Sequence, residues 1–138
     1  MGRERDAALS IDVVEHDGAT VIRPGGERLD LEVAPEFRGA VLQLIKSGHR
    51  NLVVDLEEVA FIDSSGLGTL VSALKQLKVA KDRRGTPRAA QSRRPTARGD
   101  VKLANVQPSV AALLEIIRLD RVFSSYASVE DAVKSFAS

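Results

Sequence analysis

Apolar positions along this chain fall into short strand-like runs and longer helix-like stripes that take turns. In LSIDVVEHDGATVIRP, two β-rich runs flank HDGA, and Asp-Gly between such runs predicts a hairpin. GGERLD then breaks the pattern with glycine and charge. EVAPEFRGAVLQLIKSG follows, with Phe37, Val41, Leu42, Leu44 and Ile45 at helical spacing; Pro35 suits its first turn, Lys46 its last and Gly48 its end. NLVVDL is short and almost wholly apolar, the pattern of a strand covered on both faces of a sheet. After FIDSSGLG, the residues Leu67, Leu70, Val71, Leu74 and Leu77 mark one face of an amphipathic helix.

The pattern lapses over KDRRGTPRAAQSRRPTARGD, which holds almost no apolar residue to bury; a long basic loop is expected at 81–99, between the second helix and the next strand. Order resumes with VKLANV, a strand. PSVAALLEIIRL is a helix begun by Pro108, with Val110, Leu113, Leu114 and Ile117 on its buried side. RVFSSY is a short edge strand, and Ser128 opens a last helix with Asp131 in a box-like S-x-x-D start. The order β-β-α-β-α-β-α-β-α predicts one α/β domain over residues 1–138, with a mixed sheet of four or five strands and about four helices packed on it.

Composition narrows the classes. At 138 residues, 43% apolar and 28% charged, the chain has a globular balance and enough length to bury a core. No apolar run approaches a membrane span, and MGRERDAALS lacks the apolar stretch of a secretory signal, so a cytoplasmic location is expected and no membrane partner. The absence of cysteine excludes disulfides, thiolate metal sites and a cysteine nucleophile. The net charge of +1 conceals an asymmetry: Lys78 to Lys102 holds nine Lys or Arg against Asp82 and Asp100, leaving eleven basic and seventeen acidic groups elsewhere. An acidic body does not attract nucleic acid, and none is expected as a direct partner. The basic stretch itself has three readings: a solvated insertion, an electrostatic arm for an acidic partner or nucleic acid (though without the interleaved aromatics of such a signature), or a segment foreign to the rest of the domain.

FIDSSGLGTL carries the candidate chemistry. Asp63 is a favourable N-cap, which sets Ser64 and Ser65 in the first helical turn, where backbone amides lack partners and the helix dipole favours negative charge. Gly66 and Gly68 cost roughly 1 kcal/mol each in a helix relative to Ala, a cost that makes sense where a backbone or a partner must come close. Two readings stand on pattern alone: a capped turn with glycines that ease packing, or a serine presented for a phosphate. A serine hydrolase is disfavoured, because no G-x-S-x-G elbow is present and the only histidines, His16 and His49, fall in separate turns, which also makes a poor metal site. GLG and RPGGERLD fit neither nucleotide-binding loop pattern, so no cofactor is expected.

NLVVDLEEVAFIDSSGLGTLVSALKQLK resembles the signature of STAS domains of the anti-sigma factor antagonist family: an apolar strand ending in aspartate, a linker, then an apolar-x-D-S-S/A-G-L/I-G turn opening a helix. Gly26, Leu29 and Asp30 are similar to an earlier G-x-L/I-D element of that family, with one residue more in the spacing, and VKLANVQPSVAALLEIIRLDRVFSSYASVEDAV resembles its C-terminal half. The resemblance implies a phosphoswitch without catalysis by this chain. Its unphosphorylated form would bind an anti-sigma factor that is also a serine/threonine kinase, freeing a sigma factor; phosphorylation of Ser64, within the turn of Asp63, Ser65, Gly66 and Gly68, would end the contact, and a phosphatase acting on phospho-Ser64 would reset it. The partner would cover Leu29, Asp30, Ser64, Leu67 and Thr69. A STAS module that does not switch, serving as a scaffold or as a regulator of a transport complex, is the alternative.

Overall fold

The structure, a computed structural model, describes residues 11–78 and 99–137. The basic loop expected at 81–99 lies outside the described residues apart from Gly99.

Strands β1 (Ile11–His16) and β2 (Ala19–Pro24) form the expected antiparallel hairpin, with His16 opposite Ala19. Its two-residue turn holds Asp17 and Gly18 at φ of 50° and 87°, the left-handed pair that matches the twist of the flanking strands. Strand β2 continues in parallel to β4 (Asn51–Asp55), then to β6 (Asp100–Ala104) and β7 (Ser125–Tyr126), giving a mixed five-stranded sheet in the order β1-β2-β4-β6-β7. Helices α1 (Ala34–Lys46), α2 (Ser64–Lys78), α3 (Pro108–Ile116) and α4 (Val129–Ala137) complete the α/β fold among the described residues.

The sheet is covered unequally. Ile22, Leu52, Val54, Val101 and Leu103 share one face with Phe37 and Val41 of α1, Leu70, Leu74 and Leu77 of α2, and Val110 and Leu114 of α3. Among the described residues the opposite face offers Val21, Val53 and Ala104 to a single helix, α4, through Ala132 and Val133. Central β4 is therefore buried from both sides, as its unbroken apolar run requires. The start of α4 is capped by Ser128, whose Oγ accepts the Asp131 amide at 3.0 Å.

Strand β4 ends on Asp55, a fully buried carboxylate. Oδ2 accepts Arg23 Nε at 3.1 Å, while Oδ1 accepts Asn105 Nδ2 at 3.0 Å and the Glu57 amide at 3.1 Å. A buried charge needs this many donors to hold it. Here the carboxylate ties the ends of β2, β4 and β6 together.

The structure departs from the sequence expectation in three places. GGERLD contains a strand, β3 (Arg28–Leu29), paired in parallel with β5 (Phe61–Ile62) as a second, two-stranded sheet. Helix α3 stops at Ile116, because Arg118 takes a left-handed φ of 65° and Leu119–Arg121 form a 3₁₀ turn; Ile117, expected on the buried side, is exposed. Only Ser125 and Tyr126 of RVFSSY pair with the sheet, while Phe123 before them is buried in the core.

Candidate functional site

The small sheet builds the site. Pairing Arg28 with Phe61 and Leu29 with Ile62 brings the chain after β3 alongside the start of α2. Asp63 then fastens the two. Its Oδ1 accepts the amides of Ser65 at 2.9 Å and Gly66 at 3.1 Å, and its Oδ2 accepts the Leu31 amide at 2.9 Å. One carboxylate thus caps α2 at two of its unpaired first-turn donors and holds the neighbouring loop.

Ser64, the residue after the cap, is exposed, while Ser65 is half-buried. Thr69 is buried and its Oγ1 donates to the Ser65 carbonyl at 3.3 Å, so its hydroxyl is engaged along the helix. The two glycines differ. At Gly66 a Cβ would collide with the Leu29 carbonyl oxygen and lie 2.8 Å from Ile62 Cγ1; only glycine lets α2 rest on the small sheet. At Gly68 a Cβ would meet nothing within 4 Å, and the position opens to the surface.

Asp30 stands on the other side of the site. Its Oδ2 accepts Arg28 Nε at 3.0 Å and its Oδ1 the Glu32 amide at 3.2 Å. The Arg28 hydrogen bond is the main reason its carboxyl is held below the ordinary aspartate value, with the charge of Arg28 and the amides of Glu32 and Val33 adding to it and partial burial opposing. The same guanidinium lies 4.8 Å from the centre of the Phe61 ring, a cation–π distance. Next to this cluster Leu31 is 70% exposed and Phe61 44% exposed. Two large apolar side chains held on hydrogen-bonded backbone are suited to contact another surface.

From Leu31 and Ser64 a groove of about 640 Å³ runs between α1 and α2, lined by Ala34, Arg38, Leu42 and Gly68 among others. Leu42, one of the apolar residues at helical spacing in α1, faces this groove and is only partly buried. Arg38 has no ion-pair or hydrogen-bond partner among the described residues.

Of the positions singled out from sequence, Asp30, Asp63, Ser64 and Gly68 converge on this surface. Leu29, Leu67 and Thr69, expected under the partner, have buried side chains: Leu29 is wholly enclosed and Leu67 is 8% exposed. Leu29 and Leu67 support the surface from beneath, while Thr69, though buried, lines the floor of the groove. Leu31, Phe61, Arg28 and Arg38 were not singled out. The sequence alone assigns Leu31 and Phe61 no role, and it is the small sheet that places them: Phe61 pairs with Arg28, and the Asp63 carboxylate holds Leu31 beside the start of α2. His16 ends β1 and lies 3.6 Å from Asp17, while His49 Nδ1 lies 2.8 Å from Thr20 Oγ1 and 3.2 Å from Glu15 Oε2. His49 precedes β4 and Ser64 follows its far end, so the histidine is not placed to act on the serine. Among the described residues no group of three or more metal-ligating side chains occurs, and no helix is long and apolar enough to cross a membrane.

The profile of the STAS domain matches residues 10–83. The anti-sigma-B factor antagonist of Staphylococcus epidermidis is 35% identical over 69 residues, 50% of this chain and 63% of that protein. This chain therefore spans less than two thirds of that relative's length. An anti-sigma factor antagonist from Mycobacterium paratuberculosis superposes with a TM-score of 0.74 at 22% identity, over 94% of this chain and 95% of the other. The phosphorylated form of the Bacillus cell-fate determinant SpoIIAA does so with a TM-score of 0.61 at 19% identity, over 92% and 99%. At such identities both bear on the fold.

Proposed function

The chain belongs to the STAS domain family, and from that premise we propose that it is an anti-sigma factor antagonist whose partner binding is gated by phosphorylation of Ser64. The observation that carries this is an exposed Ser64 sharing a groove with the exposed Leu31, whose backbone the Asp63 cap holds in place, with Phe61 exposed on the small sheet before the cap. The partner in this reading is a serine/threonine kinase that is itself an anti-sigma factor, met in the cytoplasm, and a phosphatase returns phospho-Ser64 to serine. This chain takes part in those reactions as substrate and binder.

The way a phosphate would act follows from the cap. The sequence suggested that a phosphate at the start of α2 would meet free backbone donors. The Asp63 carboxylate already takes the amides of Ser65 and Gly66. A phosphate on Ser64 would add about −1.5 to −2 charges beside that carboxylate with these donors engaged. It would stay a projecting charge at the edge of an apolar contact. A partner shaped to the hydroxyl would have to desolvate it, and an unpaired charge in an interface costs several kcal/mol.

The test is to incubate the chain with the serine-kinase anti-sigma factors of its organism and ATP, and to map the phosphate by mass spectrometry. Modification at Ser64, absent in Ser64→Ala, is expected, and Ser64→Ala should bind the kinase without release. Phosphate elsewhere, or Ser64→Ala modified as readily as the parent, would overturn the proposal.

A further inference from the structure

Among the described residues the β1 edge of the main sheet is only lightly protected. Strand β1 pairs only with β2 among the described residues, and Val13 and Val14 are 44% and 56% exposed on its two faces. Edge strands are commonly guarded by lysine, proline or a bulge. IDVVEH has none of these; its charges are Asp12 and Glu15, and its pairing with β2 is regular from Ile11 to His16. The carboxylate of Glu15 is turned to its own chain, accepting Thr20 Oγ1 at 3.0 Å and lying 3.2 Å from His49.

The hairpin dictates which backbone groups are unpaired. In a two-residue turn the flanking pair, His16 with Ala19, exchanges both hydrogen bonds, and alternate pairs do the same: Val14 with Val21 and Asp12 with Arg23. The amides and carbonyls of Ile11, Val13 and Glu15 therefore point outward. Pro24, which has no N–H to give, stands opposite Ile11, in keeping with that phase.

We infer that this edge pairs with β1 of a second copy of the chain, antiparallel, about a two-fold axis through Val14. In that register Val13 and Glu15 exchange backbone hydrogen bonds with Glu15 and Val13 of the second copy. Val14 meets Val14, and Asp12 stands opposite His16 on either side of it, all on the face shared with Val21. Other registers fare worse. Centring on Val13 sets Val14 against Asp12 and Ile11 against Glu15, while an axis between Val13 and Val14 sets Asp12 against Glu15 and mismatches the hydrogen-bonding phase. The occupant is thus a self-complementary strand, which is what a two-fold contact requires. A six-residue edge falls short of the roughly 1,200–2,000 Å² of stable interfaces, so the dimer is weak and concentration-dependent.

Sedimentation equilibrium of the full chain over a wide concentration range, joined to amide hydrogen exchange, tests this. A monomer–dimer equilibrium is expected, with the Val13 and Glu15 amides gaining protection as dimer forms. Val14→Lys sets like charges opposite each other and should weaken association by about tenfold or more, with circular dichroism unchanged. His16→Lys, a fixed cation facing Asp12 of the second copy, should tighten it, and adding Asp12→Lys should loosen it again. A monomer at all concentrations overturns the inference. A dimer indifferent to Val14→Lys does so too, since another surface would then be responsible. Protection of Val13 and Glu15 in the monomer is equally fatal, because the chain itself would cover the edge.

Discussion

Asp63 and Leu31 are joined by a 2.9 Å hydrogen bond from the Leu31 amide to Oδ2, while Oδ1 of the same carboxylate caps α2. The apolar contact residue and the candidate phosphoacceptor are therefore set relative to each other by one side chain. Asp63→Ala removes all three bonds and is expected to cost about 1–3 kcal/mol in urea unfolding. Asp63→Asn keeps an oxygen for the cap and loses the acceptor for Leu31. Hydrogen exchange should quicken at Leu31 and stay slow at Ser65 and Gly66; equal acceleration at all three would show that the bonds are not separable.

The glycines should respond in opposite directions. Gly66→Ala drives a methyl into the Leu29 carbonyl and should cost about 1–3 kcal/mol or more, as overpacking does. Gly68→Ala meets open space and should leave stability unchanged or raise it by up to about 1 kcal/mol. If binding to the kinase also falls in Gly68→Ala while stability holds, the partner uses the space that glycine leaves.

Ser64→Glu places an acid at an exposed first-turn position, where the helix dipole tolerates it, so stability should stay within about 0.5 kcal/mol of the parent. Partner affinity measured by calorimetry should fall by about tenfold or more. Unchanged affinity in a folded Ser64→Glu would move the contact surface away from α2.

Asp30 supplies a pH signature. Its folded-state carboxyl titrates below the ordinary value of 3.8, chiefly through Arg28. A lowered folded value means that the pair contributes fully above the ordinary value and that the contribution is lost as pH falls through the lowered one. Carbon-detected NMR of the Asp30 carboxyl should give a midpoint below 3.8, and Arg28→Met should move it upward. A midpoint indifferent to Arg28→Met would assign the effect to the backbone amides.

Asp55→Ala leaves Arg23, Asn105 and the Glu57 amide without their shared acceptor. A loss on the order of 2–4 kcal/mol is expected in chemical denaturation, moderated because Arg23 is half-exposed and can turn to water.

Much of this molecule is written in local pattern. The hairpin is announced by Asp17-Gly18, the central strand by the apolar run at Leu52 to Val54, and the last helix by Ser128 and Asp131, because each rests on short-range chemistry. The helix cap at Asp63 is legible for the same reason. The small sheet is not. Two residues are too few to show alternation, and Arg28–Leu29 pairs with Phe61–Ile62 only because the intervening helix and strand fold back. Everything depending on that pairing was hidden with it: the exposure of Leu31, the stacking of Arg28 on Phe61, and the enclosure of Leu29. Periodicity also assigns a face without saying what covers it: Leu42, at helical spacing with Phe37 and Val41, stands in a groove.

The contact of Gly66 with the Leu29 carbonyl has a consequence for time as well as shape. A helix start seated on a neighbouring backbone with no room for a methyl, and pinned by Asp63 besides, has little freedom to rearrange when its next-door hydroxyl is altered. A mark placed on Ser64 would therefore be felt by a partner at once, without a slow relaxation of the domain in between. The lifetime of the state would be that of a covalent bond, set by the enzymes that write and erase it, and the domain itself would keep the record without having to move.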